Sequence, residues 1–150
     1  MLLDREALRG MEKRYRAAFV NSLSGFKPAN LVGTSDGAGG SNLAIMSSAV
    51  HLGSHPPLLA LVIRPDEAER HTLGNILDRH CYTLNHVADT FIDAAHQTAA
   101  RYAREVSEFA ATGLAEHWVP GFDAPFVAEA RIRMGLHLRE HQKLAINGTH

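Results

Sequence analysis

Apolar and polar positions change rhythm several times along this chain, and each change marks an element. Leu8, Met11, Tyr15 and Phe19 fall on one stripe at helical spacing, with Arg9, Glu12, Lys13 and Arg16 opposite. With Asp4 as a cap, this predicts an amphipathic helix over residues 4–20, either a lid on the body or a contact between copies. Residues 29–34 predict a short strand, and the glycine-rich run 35–40 a tight hairpin turn. Residues 41–50 continue as a second strand. Residues 58–63 form an unbroken apolar run without alternation, the pattern of a strand covered on both faces. A short helix over 71–78 and a strand over 81–85 follow.

The period then turns helical again. Tyr102, Val106 and Phe109 stack at i, i+4 and i+7, with Arg101–Glu105 and Arg104–Glu108 at salt-bridge spacing, predicting one helix over 89–114 stopped by Gly113. The sharpest alternation comes last. Ala128, Ala130, Ile132, Met134, Leu136 and Leu138 interleave with Glu129, Arg131, Arg133, Gly135, His137 and Arg139, a strand with one apolar and one basic face. Gly135 is the place for a bend. The sum is a mainly β protein with peripheral helices.

Composition adds bounds. At 150 residues, 45% hydrophobic and 21% charged, the chain suits one globular domain over 1–150. A net charge of −1 gives no sequence-wide pull toward nucleic acid or an anionic membrane. No apolar run approaches the roughly 20 residues that span a bilayer. The N-terminus, with an acid at Asp4 and no long apolar core, does not read as a signal peptide. One cysteine, Cys81, forms no internal disulfide and suits a reducing cytoplasm.

Three candidate chemistries fall away on spacing. The run 35–40 lacks the Lys-Ser/Thr pair and following helix of a phosphate loop. His51 and His55 have no third metal ligand near them. His137 and His141, on a strand, would stand roughly 13 Å apart. What remains is Arg64, at the end of an apolar strand with His71, Thr72 and Asn75 beyond it. A guanidinium fork there suits a phosphate ester.

The order of these pieces resembles the flavin reductase-like family. Leu31-Val32-Gly33-Thr34, the glycine turn and Asn42-x-Ala44 resemble its opening hairpin. Ser47-Ser48, Pro56-Pro57, Arg64-Pro65 and His71-Thr72-x-x-Asn75-Ile76 resemble its cofactor region. Tyr82-Thr83-Leu84-Asn85 and Ser107-Glu108-Phe109 resemble the strand and helix end that follow. The resemblance implies a Greek-key split β-barrel, a homodimer, and FMN at or near the dimer interface. It places Asn42, Leu43, Ala44, Met46, Ser47 and Ser48 along the isoalloxazine and ribityl chain, partly through backbone groups. Arg64, His71, Thr72 and Asn75 then lie toward the phosphate. Family members run on beyond this chain's last residues, so the resemblance implies either a shortened form or a sequence without the barrel's closing strands.

The implied activity is hydride transfer to flavin from NADH or NADPH, bound transiently because no Rossmann fingerprint is present. No acid–base residue is assigned. The basic stripe Arg131, Arg133 and Arg139 is solvent-facing by default, or assists the nucleotide if it faces the cleft. Two other functions stay open: a flavoredoxin-like electron carrier, and a dimeric binding module without cofactor. A flavin-using monooxygenase or other redox protein is the expected partner.

Overall fold

Alternation along one strand, β1 (Asn30–Ser35), sets the layout. The computed structural model describes residues 3–64 and 71–144. β1 lies between β2 (Ser41–Met46) and β5 (Cys81–His86), and β8 (Arg133–His137) closes an antiparallel sheet of order β2-β1-β5-β8. Successive side chains of a strand point to opposite faces. Leu31 therefore enters one core, with Leu43, Phe91, Ala95, Phe109 and Val127, while Val32 enters another, with Ile76, Tyr82 and Leu84.

Helices and a short crossing strand build the first layer. They are α4 (Ile92–Gln97), α5 (Glu108–Thr112) and β7 (Phe126–Val127), the last paired with β6 (Glu116–His117). The second layer holds α3 (His71–Arg79) and the apolar side of a separate hairpin, β3 (Ala49–Ser54) with β4 (Pro57–Leu61).

The chain leading into β7 presses hard on the sheet. A Cβ at Gly33 would overlap the Pro125 carbonyl oxygen and sit 2.5 Å from Thr83 Oγ1, so only glycine admits the crossing. Thr83 Oγ1 donates to Pro125 O at 2.6 Å, and buried Asn85 accepts from Val127 N at 3.0 Å while donating to Leu31 O at 3.0 Å. Polar groups in this core are thus paired rather than stranded.

Several elements differ from the sequence expectation. The helix expected over 4–20 is two, α1 (Arg5–Gly10) and α2 (Lys13–Ser22), because the Glu12 carboxylate caps a new helix at Tyr15 N. Neither helix buries a residue, and Tyr15 of the apolar stripe is 62% exposed. The strand expected over 41–50 ends at Met46, and β3 follows as a strand of its own. His51 lies within β3. The run 58–63 was expected to be covered on both faces, yet Leu58 and Val62 are exposed in the single chain.

The helix expected over 89–114 is also broken. It is a 3₁₀ turn at Asp89–Phe91, then α4, then irregular chain up to α5. Gly113 does end α5, in the left-handed conformation at φ 75°. The last strand keeps its alternation but covers only Arg133–His137, with Met134 and Leu136 inward. Phe122 fills the space beside Gly135 on the face that carries β7. No described helix is long and apolar enough to cross a membrane.

Candidate functional site

β2 is an edge strand, so the outward N–H groups of Leu43 and Ile45 have no neighbouring strand to bond. Side chains take that place. Thr98 Oγ1 accepts from Ile45 N at 3.0 Å, and the Glu108 carboxylate accepts from Leu43 N at 2.9 Å. The same oxygen of Glu108 accepts from Asn42 Nδ2 at 2.7 Å.

That bond fixes which way the Asn42 amide points. Its Oδ1 is left to accept from Thr72 Oγ1 at 2.7 Å and from Thr34 Oγ1 at 3.3 Å. Asn75 Nδ2 donates in turn to Thr34 Oγ1 at 3.1 Å. All five residues are buried. The network passes around the edge of the sheet and joins α5, on one face, to α3, on the other.

In front of the network is a small, open surface hollow lined by Asp36, Gly40, Ser41, Asn42, His71, Asn75 and Arg104. Asp36 Oδ1 accepts from Ala38 N and Gly40 N at 2.8 Å each, and those backbone donors hold its carboxyl below the usual range. Ser41 Oγ bonds Ser107 Oγ at 2.7 Å and also Glu116. Its lining carries an imidazole, a guanidinium, a carboxylate, a hydroxyl and two amides. Among the described residues no three His, Cys, Asp or Glu gather as a metal site.

The structure brings together only part of the expected set. Asn42, His71 and Asn75 meet at the hollow, with Thr72 directly behind Asn42. Leu43 turns its side chain into the core and gives its N–H to Glu108. Ala44 and Met46 are half-buried on β2, and Ser47 is exposed just beyond it. Ser48 Oγ donates to Val62 O at 2.6 Å, and Val62 N donates to Ser48 O at 3.2 Å, fastening the two strand ends together. Arg64 is exposed, two residues past that contact. Pro65 lies outside the described residues. Sequence reasoning placed Asp36, Ser41 and Arg104 at no site and put Glu108 on a helix surface.

The profile of the flavin reductase like domain matches residues 24–150. The chain belongs to the flavin reductase-like family. A flavin reductase-type protein with a split barrel domain from Shewanella frigidimarina NCIMB 400 is 51% identical, with a TM-score of 0.93 over 99% of this chain and 73% of that one. Two more distant structures share the fold. Nitrilotriacetate monooxygenase component B from Bacillus cereus is 19% identical (TM-score 0.83, covering 99% of this chain and 73% of that one). Flavoredoxin of Desulfovibrio vulgaris (Miyazaki F) is 23% identical (TM-score 0.74, covering 95% and 69%). No curated protein matches the chain.

The family fold is the split barrel, and the sheet, hairpin and helices described above are its parts in this chain. The donor set suits a flavin mononucleotide. Small and half-buried residues of β2 can lie under a flat ring, while the hollow sets the His71 imidazole beside the Asn42 and Asn75 amides for polar groups.

Proposed function

We propose that this chain is a single FMN-binding domain that reduces flavin with NADH or NADPH as a transient co-substrate. The observation that carries the reading is the meeting of Asn42, His71 and Asn75 on one hollow, in a chain whose residues 24–150 match the flavin reductase like domain. When bound, FMN would supply the hydride-accepting ring that the side chains lack. The protein's part is position and electrostatics. Ala44, Met46, Ser47 and Ser48 would flank the ring and ribityl chain, and Asn42 would fix the near edge. Arg64 and His71 would meet the phosphate. Thr72 would hold that corner rigid from behind, because its donor is already engaged with Asn42, and Asn75, tied to Thr34, would line it.

A homodimer completes the reading. The hairpin exposes Val50, Leu52, Leu58 and Val62, and the N-terminal arm exposes Tyr15, Val20, Leu23 and Phe26, more apolar surface than scattered single residues account for. A cytoplasmic location suits the single thiol, and a flavin-using monooxygenase is the partner class that would consume reduced flavin.

Stopped-flow mixing of FMN-loaded protein with NADH and with NADPH tests the activity. Rapid bleaching of the flavin band by either nucleotide is expected. Bound flavin that neither nucleotide bleaches would make the protein an electron carrier instead, and a protein that takes up no FMN would be a binding module.

A further inference from the structure

We propose that Glu108 is a positioning residue for the cofactor wall, acting through Asn42 and the backbone of Leu43; the cofactor part of this rests on the FMN reading above. Glu108 opens α5 against one face of the sheet, yet the Asn42 side chain meets α3 on the other. The residue is only 6% exposed, and its carboxylate sits at the free edge between them. One oxygen receives both Asn42 Nδ2 and Leu43 N, at 2.7 and 2.9 Å.

The consequence is a fixed amide. An asparagine side chain can present either oxygen or nitrogen to a neighbour, and the choice depends on its partners. Here the acceptor at Glu108 draws the nitrogen, so the oxygen must face Thr72 and Thr34. Take the acceptor away, and the Asn42 nitrogen and the Leu43 N–H both lose their partner in a buried place. The amide then has reason to rotate, which would set its nitrogen rather than its oxygen toward Thr72. β2 and the first turn of α3 would lose their common tie at the wall where Asn42 and His71 stand.

Because a single oxygen does the accepting, charge is not required. Glutamine keeps an acceptor oxygen on a side chain of the same length, whereas alanine removes it and aspartate withdraws it by one methylene. The conservative variant therefore separates geometry from bulk stability.

The test uses the whole chain with Glu108→Gln, Glu108→Ala and Glu108→Asp, read in two ways. Without FMN, the Leu43 amide and the Asn42 side-chain NH2 are followed by ¹H–¹⁵N NMR and hydrogen exchange. With FMN as the probe, the dissociation constant and the visible circular dichroism of bound flavin are measured. In Glu108→Ala, or in Glu108→Asp should the alanine chain not fold, Leu43 exchange is expected to rise about tenfold and FMN binding to weaken about tenfold, with an altered flavin signal. Glu108→Gln is expected to stay within about twofold of the wild type in both. Unchanged Leu43 and Asn42 signals in the alanine and aspartate chains would overturn the proposal, as would a glutamine chain as impaired as the alanine one. A wild-type protein that takes up no FMN would defeat the cofactor reading alone, and the amide signals would still decide whether Glu108 holds Asn42.

Discussion

Thr72 donates its hydroxyl hydrogen to Asn42 Oδ1 over 2.7 Å, fastening the first turn of α3 to the edge strand of the sheet. The two residues are 30 apart in sequence, and the bond is fully buried. Thr72→Val keeps the shape and removes the donor. It leaves Asn42 Oδ1 with only the 3.3 Å bond from Thr34, so a loss of about 1 kcal/mol is expected. FMN binding should weaken several-fold in the same variant, and Thr72→Ser should restore both. Urea denaturation and an FMN titration of the two variants check this.

Gly33 is where the crossing segment leaves no room. A methyl group there meets the Pro125 carbonyl and Thr83 Oγ1, both held by the bond between them. Neither is the free end of a flexible side chain. Gly33→Ala is expected to cost about 1–3 kcal/mol through overpacking, read as a lower denaturation midpoint. An unshifted midpoint would mean that the 124–127 segment yields without cost.

Alkali should loosen this fold earlier than its surface charges suggest. Burial, with the Asp123 charge behind it, raises the Cys81 thiol above its ordinary 9.0, and burial likewise raises the Tyr82 phenol above 10.0. The unfolded chain therefore gives up these protons first. Stability is full below the ordinary thiol value, falls as pH rises through it, and falls again through the tyrosine range. Denaturation midpoints measured between about pH 7.5 and about pH 10.5 should show the decline, with its first part absent in Cys81→Ala.

The fold was legible where local chemistry decides it. The glycine turn at 35–40 and a strand on either side of it appear as expected, and the late alternation holds over Arg133–His137 with Met134 and Leu136 inward. The long helix failed because its spacing was coincidental. Phe109 is core, Val106 is exposed, and the intended Arg–Glu pairs offer only about 0.2–0.5 kcal/mol each. Against that, Thr98 bonds Ile45 N and Glu108 bonds Leu43 N across the sheet edge.

The same non-local bonds explain what was missed at the site. Glu108 finds Asn42 across 66 residues, and nothing within a few positions of either foretells the contact. Only its place in Ser107-Glu108-Phe109, beside a core phenylalanine, hinted that it faces inward. Asn42, Thr72 and Asn75 were singled out as cofactor neighbours, and the structure gives each of them an internal partner as well.

Arg64 stands apart from that network, exposed at the end of the chain leaving β4. If its guanidinium meets the FMN phosphate, Arg64→Ala should weaken binding about tenfold, the size of one lost charge-assisted bond. Folding should be unaffected, since its side chain is exposed. An unchanged dissociation constant would remove Arg64 from the phosphate site and leave that task to groups nearer His71.

Equilibrium titration of the purified, flavin-stripped protein with FMN is the most direct measurement. Saturable uptake of one FMN per chain, with quenched flavin fluorescence and an induced visible circular dichroism band, is expected. Flavin that stays fully fluorescent and optically inactive at every protein concentration would contradict the assignment of this hollow to a flavin.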